Sequence, residues 1–342
     1  MRNSIDADAE IIRNAGVDVK DDIFRFCKYT EIRKTLYACG IFAACGFSAH
    51  LIFLVIFIAV FTNNNIYRAV VINSKRLISK DAAYDFLRQP SANWRLFIIN
   101  TANKITIFCH RLTSKKHKKA VIFDDTTFKK NSSGKVELLS NCFDHAEHRH
   151  YKGFRLLNMI WTDGYTSIPL GYSLPASQNK HLRYNESTKN IDKRSSSYKI
   201  RKESIGGAPD AVINLINFAN SKMYKLFDVI LFDSRFAQGG LISHCLKIAP
   251  VVFILKKGSF FKLEADGKIC LINDVYRKIK KRPARSAIIG SVFCNYLYRN
   301  NNEKISVKIV FARHRKTGDW IPVLSTNTKW SDEEILKIYG MR

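Results

Sequence analysis

Two apolar runs that read as β-strands each end on an aspartate. Ala120-Val121-Ile122-Phe123 leads into Asp124-Asp125-Thr126-Thr127, and Asp228-Val229-Ile230-Leu231-Phe232 leads into Asp233. A sheet that ends its strands this way presents carboxylates at its rim, where hard cations take oxygen ligands and bridge to phosphate groups. Successive strand residues point to opposite faces, so only one of Asp124 and Asp125 can face such a site. Thr126 and Thr127 are placed to hydrogen-bond the neighbouring carboxylate and hold it for a metal. Asp233 also has the sequence of a helix cap, because Ser234 follows it; both roles are compatible.

The charge of the chain narrows the partner. Lys and Arg number 56 against 29 Asp and Glu, a formal net charge of +27. Such an excess attracts polyanions through counterion release, which puts nucleic acid ahead of a ribosomal or membrane surface. Three basic runs, 111–119, 193–202 and 277–285, flank the carboxylates. Within the last, Lys278, Lys280, Lys281 and Arg282 are candidate contacts to a phosphate backbone.

With 46% hydrophobic residues over 342 positions the chain has ample material for folded cores, and wholesale disorder is excluded. The eight cysteines contain no C-x-x-C pair, so they read as reduced thiols of a cytosolic protein rather than as a zinc ribbon or disulfide framework. No secretory signal stands in the mixed, charged stretch from Met1 to Lys28. Leu51 to Phe61 is membrane-like, but Gly40, Gly46, Ser48 and His50 interrupt the apolar stretch around it, and it reads as buried helix or else as a span.

Residues 1–110 read as a helical N-terminal domain of the DNA-binding or dimerisation kind. Its segments are Phe24 to Leu36, the apolar block, Ser79 to Leu87 with a serine start signal, and Asn93 to Cys109. A basic linker, 111–119, follows. From Ala120 the pattern turns to strands: 120–128, then 154–162 and 165–174 joined through Asp163-Gly164 as a hairpin. Residues 178–206 read as a mobile polar loop, 209–226 and 239–248 as helices, and 251–256 as a strand. This is the element order of an α/β, RNase H-like mixed-sheet core, 120–257, in which the first and fourth strands are neighbours. Residues 258–328 read as a β-rich insertion and 329–342 as the start of a C-terminal helix. Asp144 to His150 is rich in potential metal ligands, yet the basic residues that follow favour a strand edge near a polyanion, with His145 and Arg155 as phosphate contacts.

At these residues the chain resembles the DDE transposases of bacterial insertion sequences, in the insertion-sequence-4 group. The match runs through Phe123-Asp124-Asp125-Thr126, Lys135 to Leu139, Phe143-Asp144-His145, Gly153-Phe154-Arg155, Trp161 to Gly164, Leu231 to Ser234 and Ser331 to Arg342, and covers about residues 30 to 342. The resemblance implies an all-helical N-terminal domain before an RNase H-like core with a β-strand insertion. It implies Mg²⁺ or Mn²⁺ as cofactor, DNA (element ends and target) as partner, a homodimer in the DNA complex, no membrane association, and a cytoplasmic, nucleoid-associated location. It makes Asp125, directly before the threonine pair, the first metal ligand and Asp233 the second. The family's third carboxylate is the glutamate of Y-x2-R-x3-E-x6-K. Tyr339 and Arg342 match its first two letters and would contact phosphate, and the glutamate would fall four residues past Arg342. The expectation is thus a transposase truncated before that glutamate and impaired in cleavage, or else a DNA-binding protein without catalysis. Arg235 departs from the pattern, since family members often have an aromatic residue there.

Overall fold

Near residue 120 the hydrophobic spacing changes from the helical period to the strand period, and the chain divides accordingly. In the computed structural model, which describes residues 20–61, 65–68, 77–144, 147–223, 225–258, 261–283, 285–299, 302–314 and 317–342, two compact units form. One comprises Met1–Ile105 with Ser187–Lys202, the other Thr106–Glu186 with Glu203–Arg342. The expected boundary at 111–119 is therefore displaced. The division falls inside a continuous helix, Trp94–Leu112, and Lys119 is buried in the second unit rather than lying in a linker.

The first unit is helical, as its periodicity implies: α1 (Lys20–Tyr29), α2 (Ile32–Ala38), α3 (Ala49–Phe61), α4 (Lys80–Arg88) and the start of α5 (Trp94–Leu112). Ser79 caps α4 by accepting a hydrogen bond from the Ala82 N–H at 3.0 Å, satisfying one of the amides a helix start leaves orphaned. The apolar block forms α3, which buries Ile52 and Val55 against Ile32, Leu36 and Phe86. Thirteen residues reach about 20 Å at 1.5 Å each, short of the roughly 30 Å hydrocarbon core. Among the described residues no helix is long and apolar enough to cross a membrane.

Among the described residues the second unit is a mixed α/β structure around an eleven-stranded sheet. Its strands are β1 (Ala120–Lys129), β2 (Ser140–Asp144), β3 (Arg149–Thr162), β4 (Ser167–Ser173), β5 (Val229–Phe232), β6 (Val251–Ile254), β7 (Leu263–Ala265), β8 (Lys268–Cys270), β9 (Ile288–Tyr298), β10 (Glu303–Arg313) and β11 (Trp320–Ser325). The spatial order is β2-β3-β1-β5-β6-β11-β10-β9-β7-β8, with β4 also paired to β3. β1 and β3 run antiparallel, and they approach so closely at Gly153 that a Cβ there would lie 2.3 Å from the Phe128 carbonyl oxygen. The β3–β4 hairpin turns through Gly164 at φ +90°, a conformation glycine adopts without a Cβ clash.

β1 pairs in parallel with β5, and β5 with β6, so the first and fourth strands of the expected core are neighbours. The residues after 257 do not form a separate layer. β11 pairs antiparallel with β6, Val323 opposite Ile254, which makes the β9–β11 meander an extension of the same sheet. Residues 178–206 are not all loop, since they end in α6 (Ser196–Gly206). Helices α7 (Ala208–Lys222), α8 (Gly239–Leu246), α9 (Ile272–Lys278) and α10 (Asp332–Tyr339) complete the chain.

Alternation gives the central strands two differently covered faces. Ala120, Ile122, Val229, Leu231 and Val252 pack with Trp330, Ile335 and Ile338, so α10 covers that face. Val121, Phe123, Ile230 and Phe232 occupy the other and are fully buried; the Phe123 and Phe232 rings lie 5.5 Å apart.

Candidate active site

The site grows from the register of β1 against β5. The Lys119 N–H donates to Asp228 Oδ2 at 2.8 Å, and the Asp228 N–H donates to the Lys119 carbonyl at 2.8 Å. This reciprocal pair sets Ala120 opposite Val229 and Ile122 opposite Leu231. Two residues further along the strands stand Asp124 and Asp233. They share the face covered by α10, because side chains repeat every second residue.

Arg342, just beyond α10, lies between them. Its guanidinium donates to Asp124 Oδ1 at 2.5 Å and stands 3.6 Å from Asp233 Oδ2. Asp233 also caps the short 3₁₀ turn Ser234–Phe236 by accepting from the Arg235 N–H at 2.7 Å, so the cap reading of the sequence is correct. Burial pushes the Asp233 carboxyl above the usual range; Arg342 opposes the rise and the Asp124 charge adds to it. Tyr339 is half-buried against the core under α10, and burial raises its hydroxyl. Tyr339 and Arg342 thus converge on the carboxylates.

The expectation joins Asp125 with Asp233, and both line one cleft, but the carboxylate that shares Arg342 with Asp233 is Asp124. Asp125 sits on the opposite face, following Val121 and Phe123. There it accepts from Arg155 Nη1 at 3.0 Å and forms a short ion pair with Arg235. Thr126 falls on the face of Asp124 and Thr127 on that of Asp125. Both line a cleft of about 780 Å³ with Asp125, Arg155, Asp233, Arg235 and Lys256.

The remaining candidates divide. His145 lies outside the described residues. Asp144, from the ligand-rich stretch, is buried and paired with Lys129 at 3.1 Å. Of the basic run, Lys278 ends α9, Lys281 Nζ lies 4.6 Å from the centre of the Tyr276 ring, and the Arg282 N–H donates to the Ile289 carbonyl at 2.6 Å. Lys280 lies between these positions and is exposed. Arg282 is not a free phosphate contact: it pairs with Asp332 at 2.5 Å and Glu333 at 3.5 Å. Sequence reasoning missed the parts played by Arg235 and Arg342. The alternation of β1, continued past its apolar half, was the available signal for separating Asp124 from Asp125.

Two carboxylates on one face of adjacent parallel strands, already bridged by a guanidinium, are suited to a cation and fit as part of the oxygen set of a divalent metal. Among the described residues no group of three or more His, Cys, Asp or Glu is placed to hold a metal ion. Compared with protein-family models and with curated proteins, the chain matches none.

Proposed function

We propose that the sheet unit is the catalytic core of a DDE-type transposase, acting on DNA at insertion-element ends by metal-dependent strand cleavage and transfer. One observation carries the reading: Asp124 within β1 and Asp233 just after the parallel strand β5 each follow the Ile122–Leu231 pair by two residues and share Arg342. The strand order β4-β3-β1-β5-β6, a meander followed by two parallel strands, is the order expected of an RNase H-like core and supports it. The net charge of +27 supports a polyanionic substrate.

In this reading Asp124 and Asp233 hold Mg²⁺ or Mn²⁺, and Asp124 replaces Asp125 as the first ligand. Such an ion, when bound, supplies Lewis-acid activation of a phosphodiester and of the attacking water or 3′-hydroxyl. Asp233, anchored by the Arg235 amide, keeps a fixed orientation. Burial raises the proton affinity of this carboxyl, and Arg342 opposes the rise. The test is a Mg²⁺- and Mn²⁺-dependent nicking assay on element-end DNA. Wild type nicks, and Asp124→Asn and Asp233→Asn lose nicking while retaining DNA binding; undiminished nicking by either variant would sink the assignment.

A second reading, DNA binding without strand cleavage, is favoured by Arg342. Its guanidinium stands between the two carboxylates and offsets one of their two charges. That reading expects salt-sensitive DNA binding and no nicking by the wild type in either metal.

A further inference from the structure

Lys256 is the uncommitted cation of the cleft that Asp233 lines. The two arginines there, Arg155 and Arg235, are tied to Asp125, whereas the exposed Lys256 has no ion pair among the described residues. Its backbone is held on both sides. Leu255 is buried and donates its N–H to the Pro322 carbonyl at 3.4 Å. Lys257 pairs with Asp319 at 3.3 Å and sets its Nζ 4.9 Å from the centre of the Trp320 ring. Both neighbours are spent on β11 and the turn before it, which leaves Lys256 to the cleft.

β5 and β6 are parallel, with Phe232 opposite Phe253, so Asp233 and Lys256 follow the same ends of neighbouring strands. Burial pushes the Asp233 carboxyl up, and the Lys256 charge is among those opposing the rise, so the ammonium acts on that carboxylate through space. Strand cleavage by water forms one P–O bond and breaks the P–O3′ bond, and the departing 3′-oxygen keeps the electron pair. An alkoxide is a poor leaving group until it takes a proton. The guanidinium groups of the cleft do not give one up. Asp144 and Glu147 on its rim are paired with Lys129, and Lys129 and Arg149 hold the Glu147 carboxyl below the usual range. A lysine ammonium has three N–H donors on a flexible stem and can release one proton.

We propose, on the transposase reading of this site, that Lys256 is the general acid of strand cleavage: its ammonium protonates the leaving 3′-oxygen as the P–O3′ bond breaks. One proton of the attacking water passes to solvent, and the resulting lysine amine takes a proton back from solvent. The ammonium has no lone pair to offer a metal, so the role is separate from that of Asp124 and Asp233.

The experiment compares Mn²⁺-dependent nicking of element-end DNA with nicking of the same DNA in which sulfur replaces the bridging 3′-oxygen at the scissile position. A thiolate departs without a proton. Lys256→Gln should lower the nicking rate on ordinary DNA about 100-fold and cut the sulfur-bridged DNA at close to the wild-type rate. Lys256→Arg keeps the charge without a transferable proton and should be as slow as Lys256→Gln on ordinary DNA; a restored rate would show that charge alone matters and overturn the proposal. Fluorescence anisotropy of the same DNA in EDTA across a salt series supplies a readout independent of cleavage. A mere backbone contact would slow both substrates equally and reduce the salt slope of binding by about 1, and that result would also overturn it. Undiminished nicking of ordinary DNA by Lys256→Gln would remove the general acid and leave the Asp124–Asp233 site standing. A wild type that nicks neither DNA would overturn the transposase reading and the general acid with it.

Discussion

Asp124→Ala and Asp125→Ala, one residue apart, should produce opposite phenotypes. Asp125 is 14% exposed and holds two guanidinium groups that are themselves largely covered. Removing it leaves two like charges facing each other with no counter-ion. An exposed pair contributes about 0–1 kcal/mol and breaking a fully buried one costs about 3–5 kcal/mol, so this half-covered trio should cost about 2 kcal/mol. With a urea slope of about 3 kcal/mol/M the midpoint falls by roughly 0.7 M. Asp124 is 52% exposed and accepts from Arg342. Its loss also relieves repulsion of Asp233, so the stability change should stay below about 1 kcal/mol.

Metal binding should reverse the order. Loss of groups that merely orient a ligand costs about 10–100-fold in metal affinity, so loss of a ligand itself should cost at least about 100-fold. Isothermal titration with Mn²⁺ should therefore show Asp124→Ala severely weakened and Asp125→Ala near wild type. Urea unfolding followed by circular dichroism supplies the other axis. If Asp125→Ala loses Mn²⁺ while Asp124→Ala retains it, the assignment of faces from the β1–β5 register is refuted, whatever the stabilities.

Three further outcomes rest on named contacts. Asp332, at the start of α10, receives Lys308 at 2.9 Å, Arg282 at 2.5 Å and Ser291 at 3.0 Å, and Lys308 is itself 12% exposed. Asp332→Ala should cost about 3–5 kcal/mol by urea unfolding, because a covered cation loses its partner. Burial pushes the Asp332 carboxyl up, but Lys308, Ser291 and Arg282 outweigh it and the net shift is downward. The unfolded chain then takes the proton first, so this stabilisation is present above the unfolded value of about 4 and is lost as pH falls through the folded one. Between pH 7 and 3 wild type should lose more stability than Asp332→Asn; equal losses would contradict this. Arg342→Ala should raise Mn²⁺ affinity about tenfold in titration calorimetry, since a competing cation leaves both carboxylates; unchanged or lower affinity would show that Arg342 does not occupy the cation position.

Elements whose stability lies in their own pattern were legible. The apolar strands around 120, 230 and 252 and the Ser79-capped helix are present where alternation and capping chemistry indicate. α6 was not legible because its sequence, SSYKIRKESIG, carries little amphipathic signal. It is tied instead by polar bonds, such as the Ser173 hydroxyl to Glu203 at 2.7 Å and the Ala176 N–H to the Ser204 carbonyl at 2.8 Å. The continuity of the sheet past residue 257 depends on Val323 meeting Ile254, a pairing of residues remote in sequence that no local window contains.

The candidate site shows the same limit in its sharpest form. The order of elements brought the right strands together, yet the choice between Asp124 and Asp125 hangs on a parallel register, and a slip of one residue exchanges every side chain between faces. That register is held before the apolar segments begin, by the two hydrogen bonds between Lys119 and Asp228. It is reinforced by burial of Ala120, Ile122, Val229 and Leu231 beneath α10. The same helix leads to Arg342 at the carboxylates, so covering of the core and completion of the charged site are consequences of one packing arrangement. Asp228, polar and outside the site, thereby determines which aspartate of the pair 124–125 reaches Asp233 and which is left to space the arginines on the other face.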